Sequence, residues 1–214
     1  MKKLCVVLCG LMLAALPSTL TAHADTVAST FGPGLTYNTT SGWNIGPTVI
    51  ADSFVPTETV TLTDAVLAAW GVVGSAPLNV YIESSVAGVP GAILDTLTQV
   101  GPSPAPNVQT LLDFTCSSCS QLIAGTPYFI VAQQSSNSVL SAWMLAPSAT
   151  GTFEVNFAGS ATGPWEPLGI VDSLPTFEVN GTPSVATTPE PSSLFLLGTG
   201  ALGLVGAVRR KLLS

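Results

Sequence analysis

The chain has 214 residues, with 12 acidic and 5 basic side chains, a formal net charge of −7 and only 8% charged residues. All five cations sit at the ends, Lys2 and Lys3 first and Arg209, Arg210 and Lys211 last, so residues 25–208 contain no Lys, Arg or His. That composition excludes a Lys Schiff base, an Arg clamp for phosphate, a Ser-His-Asp or Cys-His nucleophile and a His-bearing zinc site, and its uncompensated acids would repel a nucleic-acid backbone.

Lys2-Lys3 leads into an apolar run at 4–16 (LCVVLCGLMLAAL), then Pro17 and a small-residue stretch ending in Ala22-His23-Ala24. This order predicts a secretory signal peptide over 1–24. The 13 apolar residues are too few to span a bilayer, and Ala22 and Ala24 form the small-x-small site that leaves Asp25 as the first mature residue. Cys5 and Cys9 lie inside the apolar run, not after it where a lipidated cysteine would stand.

Beyond Asp25, short β-branched and aromatic runs alternate with Gly, Pro, Ser and Asn clusters. Strands are predicted at 49–54, 60–72, 79–83, 93–99, 109–114, 128–133, 139–145, 153–157 and 176–179. Spacing of this kind predicts an all-β fold over 25–180, a β-sandwich with a jelly-roll-like wrap, not a βα repeat. A helix is an alternative only at 63–70 (TDAVLAAW), where Asp64 would cap a turn. Residues 86–91 (VAGVPG) are read as a turn, and 101–107 (GPSPAPN) as a proline-rich loop unable to donate into a ladder.

The order ADSFVPTETVTLTDAVLAAWG, LNVYIESSVAGVPGAILDTLT, LIAGTPYFIVAQ and SAWM resembles a β-sandwich module, the choice-of-anchor R domain. Ala51, Ser53 and Phe54 stand in its early A-x-S-F element, Pro90-Gly91 in its central turn, and Gly125-Thr126-Pro127-Tyr128 before its last third. The resemblance covers roughly residues 50–145. It implies a sandwich fold found with several surface-anchoring ends, and it implies no particular chemistry.

Cys116-Ser-Ser-Cys119 lies between strand-like runs in an exported chain, so a local disulfide is expected in place of a redox site opening a helix. Carboxylates are the strong acid-base groups that remain. Asp52 with Glu58, or Glu154 with Glu166, would have to face each other at about 5–10 Å for glycoside hydrolysis, and solvated surface acids are the plainer expectation. No cofactor and no metal site is expected. Calcium, which needs only oxygen ligands, would be the exception, but no D-x-D-x-D-G loop is present. Trp70 and Trp143 lie in apolar strands and are expected in the core, whereas Trp43 (SGWNIG) and Trp165 (GPWEP) sit in turn-like contexts where they could stack on a sugar.

Residues 181–191 (GTPSVATTPEP) read as an extended proline-rich linker, followed at 192–214 by a transmembrane segment and basic tail. Its apolar core at 194–208 would rise only ~22 Å as a helix against a ~30 Å hydrocarbon layer, a marginal span suited to temporary anchoring. Arg209, Arg210 and Lys211 form a cytoplasmic stop, leaving the acidic domain outside the inner membrane.

This carboxy-terminal end resembles the PEP-CTERM sorting signal of exported bacterial proteins, with Pro189, Glu190 and Pro191 as the motif. The resemblance implies processing by an exosortase at the membrane and transfer to the cell surface or an exopolysaccharide matrix. The function expected is that of a non-enzymatic envelope or matrix component, with a carbohydrate-binding module and a carboxylate-only glycoside hydrolase as alternatives.

Overall fold

The computed structural model describes residues 24–149, 151–168 and 173–184. The signal peptide through His23, the linker beyond Ser184, the Pro189-Glu190-Pro191 motif, the sorting helix and the basic stop lie outside the described residues.

Among the described residues the fold is all-β and β-sandwich-like, and every pairing between named strands is antiparallel. One layer holds β1 (Asp25–Ser29), β13 (Phe177–Pro183), β4 (Val60–Val73) and β7 (Gln109–Thr115), in that spatial order. Alongside β4 run β10 (Leu140–Leu145), flanked by β2 (Asn38–Ile45), and the short β8 (Gln121–Leu122). The other layer runs β5 (Leu78–Val86), β9 (Tyr128–Gln134), β3 (Val49–Phe54), β11 (Glu154–Asn156) and β12 (Glu166–Pro167). The long β6 (Val89–Val100) belongs to both. Its first part pairs with β5, and residues 98–100 pair with β7.

Period-two alternation decides which side chains meet between the layers. In the second layer Ile50, Val80, Ile82, Ile130 and Ala132 point inward and join one core cluster. Along β4 the inward residues are Val60 and Leu62, then Ala65, Leu67 and Ala69. The switch of parity falls at Thr63, which is skipped in the ladder to β13, where Leu62 pairs with Gly181 and Asp64 with Asn180. This one-residue bulge turns the strand by one side chain and lets a 14-residue element keep facing the core. Trp143, Phe114, Phe153 and Phe177 are the largest fully buried groups, each removing enough apolar surface from water to contribute about 2–3 kcal/mol.

All nine predicted strands are present, and 63–70 is strand, not helix, because both faces of β4 are covered there: Val66 and Ala68 are buried as well as Leu67 and Ala69. Continuous apolarity, which hides the period of two, is what a doubly covered strand shows. β1, β2, β8 and β12 were not among the predicted strands. Their polar or very short sequences, such as NTTSGWNI in β2 and EP in β12, carry little strand signal.

Two boundaries move. The tight turn of the β5–β6 hairpin is only Ala87-Gly88, both at positive φ, with Val86 paired to Val89; Pro90 and Gly91, read from sequence as part of that turn, lie within β6. Positive φ at both central residues matches the twist of the flanking strands. The final strand continues through Gly181 to Pro183, opposite Val60, and Ser184 N–H then donates to Thr59 O at 2.9 Å, so the linker starts later than residue 181.

Candidate functional site

The most unusual chemistry of this fold is its buried acid. Asp52, Glu83, Asp95 and Glu154 are all buried, where surface placement was the expectation. Asp52 shares the inward parity of Ile50 and Phe54 on β3, opposite Ile130 of β9, so its side chain enters the core. Its Oδ1 accepts from Ser53 N–H at 2.8 Å, while Oδ2 has no hydrogen-bond partner among the described residues. Glu83 lies opposite Phe129 and Glu154 opposite Ala51, and these two belong to the outer face of the second layer. Neither oxygen of Glu83, nor Oε2 of Glu154, has a partner among the described residues.

No cation is available within residues 24–184, so desolvation is not offset by pairing. Burial pushes Asp52 up to about 7, outweighing the Ser53 amide, which pulls the other way. Burial also pushes Glu83 up to about 7 and raises Glu154 from its ordinary value. The Tyr81 phenol is raised by burial and then by the charge of Glu83.

The outer face carries a second apolar cluster of Val49, Ala51, Phe129, Val131 and Ala161, with Tyr81 and Trp165 packed on it. The segment after β11 is tied down over this face. Asn156 donates from Nδ2 to Ser160 O at 2.6 Å and accepts Ala158 N–H at 2.7 Å, and Gln133 Nε2 donates to Gly159 O at 2.8 Å.

The proposed acid pairs are not brought together. Asp52 is buried, whereas Glu58 is exposed in the turn after β3. Glu154 and Glu166 project from opposite faces, because Glu166 pairs with Val155 and not with Glu154. Glu83 and Glu154 share a face but are separated by β9 and β3, about 14 Å across three strand spacings at the backbone.

The indoles divide differently from the sequence expectation. Trp143 is fully buried, its Nε1 donating to Thr176 O at 2.7 Å. Trp70 pairs with Ala142 on the opposite face and is only half-buried, so it is not a core residue. Trp43 is not in a turn. It lies in β2 opposite Trp143, half-buried, its ring 5.0 Å from that of Phe153 at 60°. Trp165 is half-buried against the outer cluster. Trp43 packs on Phe153 and Trp165 on the outer cluster, and the indole N–H of each is buried.

Cys116 and Cys119 are joined in a disulfide, with Cα atoms 5.5 Å apart, and both pack on the core edge. The loop they close lies between β7 and β8, beside the bulge of β4: Leu62 N–H donates to Ser120 O at 3.1 Å. Asp95 anchors the same loop from β6. Among the described residues no three His, Cys, Asp or Glu side chains gather to hold a metal ion, and no helix is long and apolar enough to cross a membrane.

Comparison with curated proteins finds no match. Comparison with protein families finds one, beginning three residues after the last described residue: residues 187–211 match the PEP-CTERM protein-sorting motif, which supports an exported protein processed by an exosortase and sorted to the surface.

Proposed function

We propose that this chain is a non-enzymatic component of the cell envelope or extracellular matrix, held by its carboxy-terminal helix until an exosortase releases it. The observation that carries this reading is the sorting motif at 187–211, which begins four residues after the end of β13. The fold supports it in a second way. β1 begins at Asp25, the first residue expected after signal cleavage, and β13 ends at Pro183, so the strands of the domain fit between the two processing sites. The two-layer arrangement, with Ala51, Ser53 and Phe54 together on β3, is compatible with a jelly-roll-like sandwich of the choice-of-anchor R kind.

Lack of enzymatic activity is inferred from the absence of Lys, Arg and His in residues 25–208 and from buried acids that do not converge, Asp52 facing the core while Glu83 and Glu154 lie three strands apart on the outer face. A carbohydrate-binding role would rest on Trp165 alone, since Trp43 is committed to packing. Mass spectrometry of the protein recovered from exosortase-containing cells tests the reading. Termini at Asp25 and beside Pro189-Glu190-Pro191 are expected, and a full-length chain resident in the inner membrane of such cells would overturn it.

A further inference from the structure

Both ends of the described fold leave from one pole. Asp25 of β1 pairs with Gly181 of β13, and Ser184 is fixed to the turn after β3 by its N–H to Thr59 O and to β8 by Gln121 Nε2 donating to its hydroxyl at 2.9 Å. From this last anchored residue, five residues reach Pro189 and ten reach Leu194 at the start of the apolar run. Extended chain covers at most ~18 Å and ~36 Å over those distances, so an anchored tail holds this pole close to the bilayer.

The same pole exposes apolar side chains. Val55 is 51% exposed and Ile123 44%, on two turns joined by Gly125 N–H donating to Pro56 O at 2.9 Å. Beside them the β5–β6 hairpin extends past the Ser84–Tyr128 pair with exposed Val86 near its tip, and exposed Ile93, paired to Glu83, and Leu94 lie on β6 just short of that level. Leu94 O accepts the hydroxyl of Ser120, which places the hairpin next to the β8 turn. The exposed acids at this end, Asp25 and Glu58, disfavour an anionic surface.

We propose that this pole is a lipid-facing surface: in the anchored, uncut chain, Ile123, Val55 and the hairpin residues rest on electrically neutral lipid, holding the domain upright over the cut site. The inference depends on the carboxy-terminal run acting as an anchor, as in the preceding section. It adds which face of the domain meets the membrane.

The test uses the exported, uncut chain from cells lacking the processing enzyme, reconstituted in phosphatidylcholine–phosphatidylethanolamine vesicles. An environment-sensitive dye is attached at Ile123→Cys, or at Val108→Cys near the opposite pole, with the parent chain carried through the same labelling as background. A blue shift at position 123, with loss of emission to nitroxide-bearing lipid and neither effect at position 108, is expected. Equal behaviour of the two labels on chains that float with the vesicles would overturn the lipid-facing pole alone. Chains that fail to float would overturn the anchor and the inference together.

Discussion

Asp95 on β6 accepts both the backbone N–H of Ser120, at 3.0 and 3.2 Å to its two oxygens, and the Ser120 hydroxyl at 3.2 Å. Ser120 follows Cys119, so a carboxylate from the strand that links the two layers holds the disulfide loop against the bulge of β4. Asp95 is buried, and removing it would leave that amide without its acceptor. Asp95→Ala should therefore cost about 2–3 kcal/mol, read as a lower urea midpoint with unchanged slope.

The disulfide itself should contribute less than its position suggests. It closes a four-residue segment, and the chain-entropy model gives only about 2 kcal/mol for so short a loop. Because Asp95 grips the same segment, the two effects should not add. The triple variant Asp95→Ala/Cys116→Ser/Cys119→Ser is expected to lose less stability than the sum of its parts, since each change frees a loop that the other also restrains. Additive losses in a double-mutant cycle would show that Asp95 and the disulfide act separately.

The buried acids set the direction of pH dependence. For Asp52 and Glu83 the folded values of about 7 lie well above those of the unfolded chain, so the folded state binds more protons between about pH 4 and 7. Stability must fall as pH rises through that window and level off above it. For fully buried Asp52 the loss is on the order of 4 kcal/mol at most. Thermal melts from pH 4 to 8 should show a declining midpoint, and Asp52→Asn/Glu83→Gln should flatten it. A midpoint that rises over this range would contradict the placement of these side chains.

The sequence carried the architecture further than it carried the placement of charge. β3 shows why: the alternation of Ile50, Asp52 and Phe54 marks an inward row, and strict parity places Asp52 inside with its neighbours, even though an acid at such a position is costly and reads as surface. Asp95 follows the same rule with Leu97 on β6. The Thr63 bulge had no such signature. It depends on where β13 pairs, a contact between residues more than a hundred positions apart. Trp43 was misplaced for a related reason, because its Gly and Asn neighbours suggest a turn while its partner Trp143 lies a hundred residues later.

Gly71, near the end of β4, is a close-approach position. A β-carbon there would lie 2.7 Å from the carbonyl atoms of Ala105 and 2.8 Å from Pro104 O. The proline-rich loop is held by Gly71 N–H donating to Ala105 O at 3.2 Å and by Asn107 N–H donating to Gly71 O at 2.9 Å. Gly71→Ala must push this backbone away, at a cost of about 1–3 kcal/mol. Faster amide exchange at Asn107 should accompany the loss, because its hydrogen bond opens when the loop shifts.

Trp43 separates packing from recognition. Its ring closes the edge of the core against Phe153 and lies opposite Trp143, so Trp43→Ala leaves a gap that the surrounding strands fill only in part. Full burial would make the cost about 3–5 kcal/mol, and a half-buried indole should lose less, roughly 2 kcal/mol. Retention on an exopolysaccharide column should not change, because the Trp43 ring is packed on Phe153 and the core edge. Trp165→Ala is the informative counterpart: it removes the remaining candidate for stacking while leaving the main core intact. Weaker retention by that variant at unchanged melting temperature would establish glycan binding, whereas two variants that alter only stability would confine both indoles to structure.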